Sequence, residues 1–341
     1  MQITLKDIAQ QSGYSITTVS RALTGYSDVN AETRQHIQDI ATALGYQPNL
    51  LARQFRNQRT YTLGLIIPAH DQTFSTGFYS QLMLGIGDAA SLEHYDLLIS
   101  AQAPGEDEMI AYRRIVAGNR VDGMIIARTR RNDERILYLQ GRGHPFVVSG
   151  RGAPGEPSDY PYIDVDSQMA ICTIVQHFVE LGHRHIGLIL PPEEIAFTGF
   201  RHEGYCEGLA AAGIPYRPEY VINGDLWWSG GYECTETLLD DYPMLSAIIA
   251  CNDLMALGAM NAIQERGLQV GADIAVAGFD DITAAEYAYP PLTTIHQPIY
   301  EIGQMLVKLL ISIISGATPT ETQVLIPSTL MVRASSGIQR I

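Results

Sequence analysis

Two short helical patterns separated by one glycine, within residues 4–23 (T-L-K-D-I-A-Q-Q-S-G-Y-S-I-T-T-V-S-R-A-L), constrain this chain more than any other stretch. Thr4 with Asp7 three positions on is a capping-box spacing, Leu5, Ile8 and Ala9 fall on one helical face, Gly13 supplies a turn and Ser15 caps a second helix. That second helix is two-faced. Val19, Ala22 and Leu23 point to one side, while Thr17, Ser20, Arg21 and Thr24 point to the other. Asn30 then caps a third helix, whose Ile37, Ile40, Ala41 and Leu44 recur at i, i+3, i+4 and i+7 before Gly45 stops it. The pattern predicts a small trihelical helix-turn-helix head, with Ser15, Ile16, Thr17, Ser20 and Arg21 as the residues offered to base edges and phosphates of double-stranded DNA. Any amphipathic helical hairpin can imitate it, so the rest of the chain must decide.

With 341 residues, one small head and one body of roughly 280 residues is the natural division. The formal charge of −15 suits a DNA reader only once it is divided by position. Residues 1–60 hold six cations (Lys6, Arg21, Arg34, Arg53, Arg56, Arg59) against four anions, so the head is net positive and the body strongly acidic, favouring docking by the head alone. No apolar run reaches the roughly 18–20 residues that span a bilayer, and no signal-peptide core is visible, so a cytoplasmic protein without membrane partners is expected. Cys172, Cys206, Cys234 and Cys251 lack C-x-x-C spacing and read as buried free thiols. His183 and His185 follow Gly182 at a helix end, a position for capping rather than metal binding.

Beyond Tyr61, apolar strands alternate with helical stretches: 63–67, 96–100, 123–126, 146–148, 186–190, 247–250 and 274–277, the pattern of parallel sheets flanked by helices. Gly85 and Gly87 lack the third glycine of a dinucleotide fingerprint and read as helix-packing positions. Phe74, Phe78, Phe197, Phe200, Phe279, Trp227 and Trp228 fall just after predicted strands, where parallel sheets bind ligands. Each ring alone is as well explained by core packing, but together with convergent polar groups they suit a sugar. Arg128 follows a strand and reaches either the cleft or solvent.

The head pattern continues into L-G-Y-Q-P-N-L-L-A-R-Q-F-R (44–56), T-L-G-L-I-I-P (62–68), G-H-R-H-I-G-L-I (182–189), C-N-D-L-M-A-L-G-A-M (251–260), V-A-G-F-D-D (276–281) and P-P-L-T-T-I-H-Q-P (290–298). In this order the motifs resemble the lactose-repressor (LacI) family of bacterial transcription regulators, over essentially the whole chain. The resemblance implies a head over 1–47, a hinge helix and linker over 48–60, and a two-lobed, periplasmic-binding-protein-like α/β body over 61–341. The N-lobe is expected at about 61–162 and 296–323 and the C-lobe at about 163–295 and 324–341, with crossings near Ile163, Ile295 and Val324. Asn49 can cap the hinge helix, with Ala52 and Arg53 in it. Phe55 occupies the position of the family's minor-groove leucine wedge, or else packs the paired hinge. By the same resemblance Arg201, Asn252 and Asp280 contact the effector, with Gln297 at a lobe crossing. Two departures stand out: Gly150 where many sugar repressors carry aspartate, and Leu226 where an aromatic is frequent, for which Trp227 or Trp228 could compensate.

The resulting expectation is a homodimeric repressor of carbohydrate-use genes, released from a pseudo-palindromic operator by a small sugar, without cofactor, metal or catalytic residues. A dimer is expected because Ala334–Ile341 is too short for a heptad coil. A purine or other metabolite acting as co-repressor is the alternative. An enzyme on the two-lobed fold is a distant one, since no G-x-S-x-G, Walker A or zinc-ligand series is present.

Overall fold

In the computed structural model the described residues are 3–24, 26, 28–46, 59–69 and 77–337. The chain divides into two compact units, Met1–Arg59 and Thr60–Ile341. The first holds helices α1 (Leu5–Ser12), α2 (Ile16–Thr24) and α3 (Ala31–Ala43) around a core of Ile8, Val19, Ala22, Val29, Ile37 and Ala41. The predicted caps form. Thr4 N donates to Asp7 Oδ2 at 2.8 Å, Thr18 N to Ser15 Oγ at 3.1 Å, and Thr33 N to Asn30 Oδ1 at 2.7 Å. Gly13 (φ 75°) and Gly45 (φ 65°) take the left-handed turns that end the first and third helices.

The second unit builds two six-stranded sheets. Strands β1 (Thr62–Pro68), β2 (Asp96–Gln102), β3 (Gly123–Ala127), β4 (Phe146–Ser149) and β5 (Tyr162–Val165) alternate with helices α4 (Gly77–Leu92), α5 (Glu106–Ala117) and α6 (Glu134–Arg142). They are joined much later by α12 (Ile299–Ile314) and β11 (Gln323–Ile326), giving a wholly parallel sheet of order β11-β5-β4-β3-β1-β2. The second lobe comprises α7 (Ser167–Glu180), β6 (Ile186–Leu190), α8 (Phe197–Ala211), β7 (Val221–Asn223), α9 (Trp228–Asp241), β8 (Ala247–Ala250), α10 (Asp253–Glu265), β9 (Ala275–Asp280), α11 (Thr283–Tyr287), β10 (Thr293–His296) and β12 (Thr329–Met331). Its order is β12-β10-β9-β8-β6-β7, parallel except for the edge strand β12. The chain passes between lobes after Val165, after His296 and after Ile326.

Glycine decides why α12 returns to the first lobe. A side chain at Gly85 would run into the Tyr300 carbonyl, and one at Gly303 would stand 2.6 Å from the Leu82 carbonyl, so α4 and α12 meet backbone to backbone. Gly87 corrects the sequence expectation: nothing lies within 4 Å of its missing Cβ, so it is no packing position. Five short strands (β5, β7, β10, β11 and β12) escape the sequence pattern: each has three or four residues and includes a polar one that shortens its apolar run. Cys172, Cys234 and Cys251 are buried free thiols, whereas Cys206 is only half-buried. His183 Nδ1 lies 2.9 Å from Ser246 Oγ and His185 Nδ1 3.2 Å from the Tyr220 hydroxyl.

Candidate functional site: a helical surface on the head and a cavity between the lobes

On the head, α2 turns Val19 and Ala22 into the core and leaves Ile16 49% exposed, with Thr17 and Arg21 exposed beside it. Ser15 is committed to its cap. Arg21 Nη1 reaches Asp28 Oδ2 at 2.9 Å, an ion pair half in solvent and therefore weak, about 0–1 kcal/mol, so the guanidinium is readily redirected. Leu5, Ile16, Thr17, Ser20, Arg21 and Tyr26 share one shallow depression. Tyr26, 53% exposed, was not singled out in the sequence because it lies past the helical pattern. Asn49, Ala52, Arg53 and Phe55 lie outside the described residues, as does Phe74.

In the body, loops at the carboxyl ends of both sheets line a cavity that opens to solvent. Phe78, Arg128, Phe197, Arg201, Trp227, Asn252, Asp280 and Gln297, drawn from separate stretches of the chain, all line it. Backbone strain does part of the aiming. Arg128 (φ 56°), Leu226 (φ 73°) and Asp280 (φ 121°) line the cavity in left-handed conformations that cost non-glycine residues about 1–3 kcal/mol each. At Arg128 the restraint is visible: the buried Arg135 donates to the Arg128 carbonyl at 2.9 Å and is itself held by Asp133 at 2.6 Å and Glu108 at 3.1 Å.

Arg201, 5% exposed, lies between the Phe197 ring (4.2 Å) and the Phe279 ring (3.7 Å) and donates Nη1 to the Cys251 carbonyl. Phe279 is wholly buried in β9, so it floors the arginine and does not line the cleft. Phe200 also departs from the ligand-facing expectation, its ring covering the Arg151 guanidinium at 3.9 Å. Trp227 lines the cavity, whereas Trp228 is turned out at 42% exposure and stacks on Tyr232. Asn252 is largely spoken for: Oδ1 accepts the Met255 amide and Nδ2 donates to the Leu226 carbonyl, each at 2.8 Å. Asp280 accepts from Gln297 Nε2 at 2.5 Å, so two residues expected to meet a ligand first meet each other.

The cavity is acidic at its base. Burial pushes Asp280 up to about 6 against the opposing pull of Arg201. Burial and then Asp280 raise Asp253 to about 7, although Asp253 accepts from Thr294 Oγ1 at 2.5 Å and the Ile282 amide at 2.8 Å. Asp281 is occupied structurally by His296 (2.9 Å) and Arg333 (2.7 Å). Asp164, missed in the sequence, lines the cavity and is raised by burial to about 6, with Arg151 opposing. Its only signal is a lone carboxylate within the short apolar alternation Y-I-D-V. Among the described residues no cluster of three metal-ligating side chains occurs, and no helix is long and apolar enough to cross a membrane.

Loops of the two lobes also bond directly. Arg131 N donates to the Glu194 carbonyl at 2.8 Å and Ala196 N to the Thr129 carbonyl at 3.0 Å, around an antiparallel bridge between Arg130 and Ile195.

A head of this kind on a two-lobed body is what the comparisons with known proteins return. Residues 4–49 match the family described as bacterial regulatory proteins, lacI family, and residues 175–336 match the periplasmic binding protein-like domain. The transcriptional regulator AglR of Rhizobium meliloti is 34% identical over 340 residues, covering 99% of this chain and 95% of AglR. The solved complex of the transcriptional regulator CelR with cellobiose is 32% identical, with TM-score 0.77 over 98% of this chain and 100% of that one. The lac repressor dimer bound to operator and the anti-inducer ONPF is 28% identical, with TM-score 0.85 over 99% of this chain and all of that one. Whole-length identity to regulators, a head that matches by itself and a body of the same two-lobed fold lead to one conclusion: the chain is a DNA-binding transcriptional regulator and belongs to the LacI family.

Proposed function

We propose that the body binds a small sugar and that this binding releases two paired heads from a pseudo-palindromic operator, so that genes of carbohydrate use are repressed until the sugar arrives. The observation that carries this reading is the cavity, where aromatic faces (Phe78, Phe197, Trp227) converge with Arg128, Arg201, Asp280 and Gln297 between two lobes. Ring faces suit the C–H face of a pyranose, and the charged and amide groups suit its hydroxyls. The likeness to a cellobiose-bound regulator and to an operator-bound repressor supports it. Phe74 joins the same effector set, and Asn252 acts through its cap and its bond to the Leu226 carbonyl. On DNA, Ile16, Thr17, Ser20 and Arg21 meet major-groove edges with Ser15 beside them, while Asn49, Ala52, Arg53 and Phe55 form the hinge, Phe55 as its minor-groove wedge. The protein acts by binding alone, without turnover, in the cytoplasm where the operator lies.

Coupling requires a sugar that prefers one lobe arrangement and an operator that prefers the other. Calorimetry of the purified protein with cellobiose, maltose, glucose and galactose, followed by mobility shift on the promoter of its own gene, tests this. At least one sugar binds and weakens the shift. No binding at millimolar sugar, or a bound sugar that leaves the shift unchanged, overturns the reading.

A further inference from the structure

Where the chain first passes between lobes, the cavity has a polar wall of which the sequence singled out only Gly150, and which the effector set above does not include. Gly150 lines this wall without a side chain: its φ is 112°, and a Cβ there would stand 2.8 Å from the Thr129 hydroxyl. Across the sheet its N–H donates to the Ile163 carbonyl at 2.9 Å, which brings residue 164 to the same edge. Asp164 is only partly engaged there. One carboxylate oxygen accepts the Val165 amide at 2.9 Å. The other lies 3.3 Å from Arg151 Nε, close enough for an ion pair but outside hydrogen-bond geometry, so that Nε is left without a hydrogen-bond partner.

Ser167, three residues on, lines the same wall at 3% exposure, and its hydroxyl has no partner. Arg201 Nε is likewise buried and unpartnered, and the Arg201 charge bears on both Asp164 and Asp280. Buried polar atoms without partners are rare in native proteins, and several around one cavity point to a ligand that supplies the missing bonds.

We infer that Asp164 and Ser167 form a specificity-determining pair that binds neighbouring hydroxyls of a polyhydroxylated effector, complementing Arg201 and Asp280 of the second lobe. The inference rests on the sugar reading above. A carboxylate accepts from a hydroxyl and the serine can both donate and accept, so the pair selects vicinal hydroxyls over an apolar ligand or a flat base carrying none. Its position at the crossing means that one sugar ring touches both lobes.

Calorimetry with glucose, galactose, maltose and cellobiose, and with the monodeoxy forms of those that bind the parent protein, separates the two ideas. Asp164→Ala lowers affinity for the hydroxylated sugar about ten- to hundredfold and abolishes discrimination against one deoxy form. Ser167→Ala does so more weakly, and Asp164→Asn, the near-isosteric variant, serves where the alanine variant does not fold. Arg201→Ala weakens the sugar and its deoxy form alike and leaves discrimination intact. If the parent binds a sugar while the Asp164 variants keep its affinity and its deoxy pattern, this inference fails alone. If the parent binds none of the sugars, the sugar reading fails and takes this inference with it.

Discussion

The two lobes share a sheet topology but hold their cavity walls in opposite ways. In the first lobe the loop carrying Arg128 is fixed by fully paired charge: Arg135, 1% exposed, bonds Asp133, Glu108 and the carbonyls of Ala127 and Arg128, and Glu108 also takes Arg130 at 2.6 Å. Burial works against the Asp133 carboxylate, yet Arg135 holds it below the ordinary range. In the second lobe the corresponding support is neutral. Asp253 is wholly buried, and burial with the nearby Asp280 charge lifts it above the ordinary range against the hydrogen bonds it accepts from Thr294 and the Ile282 amide. The Arg128 loop is braced by ions that must stay charged, the floor behind Asp280 by an acid that is easily protonated.

The largest expected effect breaks the braced wall. Arg135→Ala leaves Asp133 buried without its cation and Glu108 with Arg130 alone, and lowers stability by about 3–5 kcal/mol, read as the urea midpoint of the body. An unchanged midpoint would mean that the network is ornamental. Next, Arg201→Ala costs about 1–3 kcal/mol of effector binding, while operator affinity without effector is preserved because the head is untouched. Such a protein stays on DNA at sugar concentrations that release the parent, and normal sugar affinity in calorimetry would remove Arg201 from the site.

The third test sharpens the contrast through pH. Asp164, Asp253 and Asp280 titrate higher in the folded body than the roughly 3.9 of an unfolded aspartate. Their contribution to stability is therefore full below about pH 4 and is lost as pH rises through 6 to 7, at up to about 1.4 kcal/mol per pH unit for each proton. Burial keeps His144 and His177 below their ordinary value, which pulls the other way on acidification, so the comparison must be with a variant. Between pH 5.5 and 7.5 the thermal midpoint of Asp253→Asn should fall less steeply than that of the parent; parallel curves would refute the raised acid. The smallest effect lies on the head. Asp28→Ala frees Arg21 from a half-exposed pair, changing head stability by under about 1 kcal/mol and strengthening operator binding modestly in mobility shifts.

How much of this was legible beforehand follows from how each part is encoded. The head was readable because its caps are local: Thr4 with Asp7, Ser15, and Asn30 act within three residues of themselves. Strands such as β1, β3 and β8 were readable because Leu63, Ile125 and Ile249 sit in uninterrupted apolar runs. Individual cavity residues came from family motifs, but their state did not. That Asn252 is spent on a cap, that Gln297 bonds Asp280, and that Phe279 and Phe200 serve as platforms for Arg201 and Arg151 are products of tertiary contact. Left-handed backbone at Arg128, Leu226 and Asp280 has no signature in hydrophobic periodicity, and Asp164 gains its meaning only from the strand laid beside Gly150.

The interleaving of α12 has a consequence for synthesis. Leu82 and Ile86 on α4 are covered by a helix that begins at Ile299, so the first lobe leaves the ribosome with an apolar groove open. From the end of α4 at Leu92 about 200 residues must be added before Ile299, on the order of 10–40 s at common elongation rates. Meanwhile β6 to β10 emerge in full and can close around their own core. A nascent chain stalled before Ile299 would thus carry a first lobe lacking both α12 and β11 beside a second lobe lacking only its edge strand β12 and the residues that follow it.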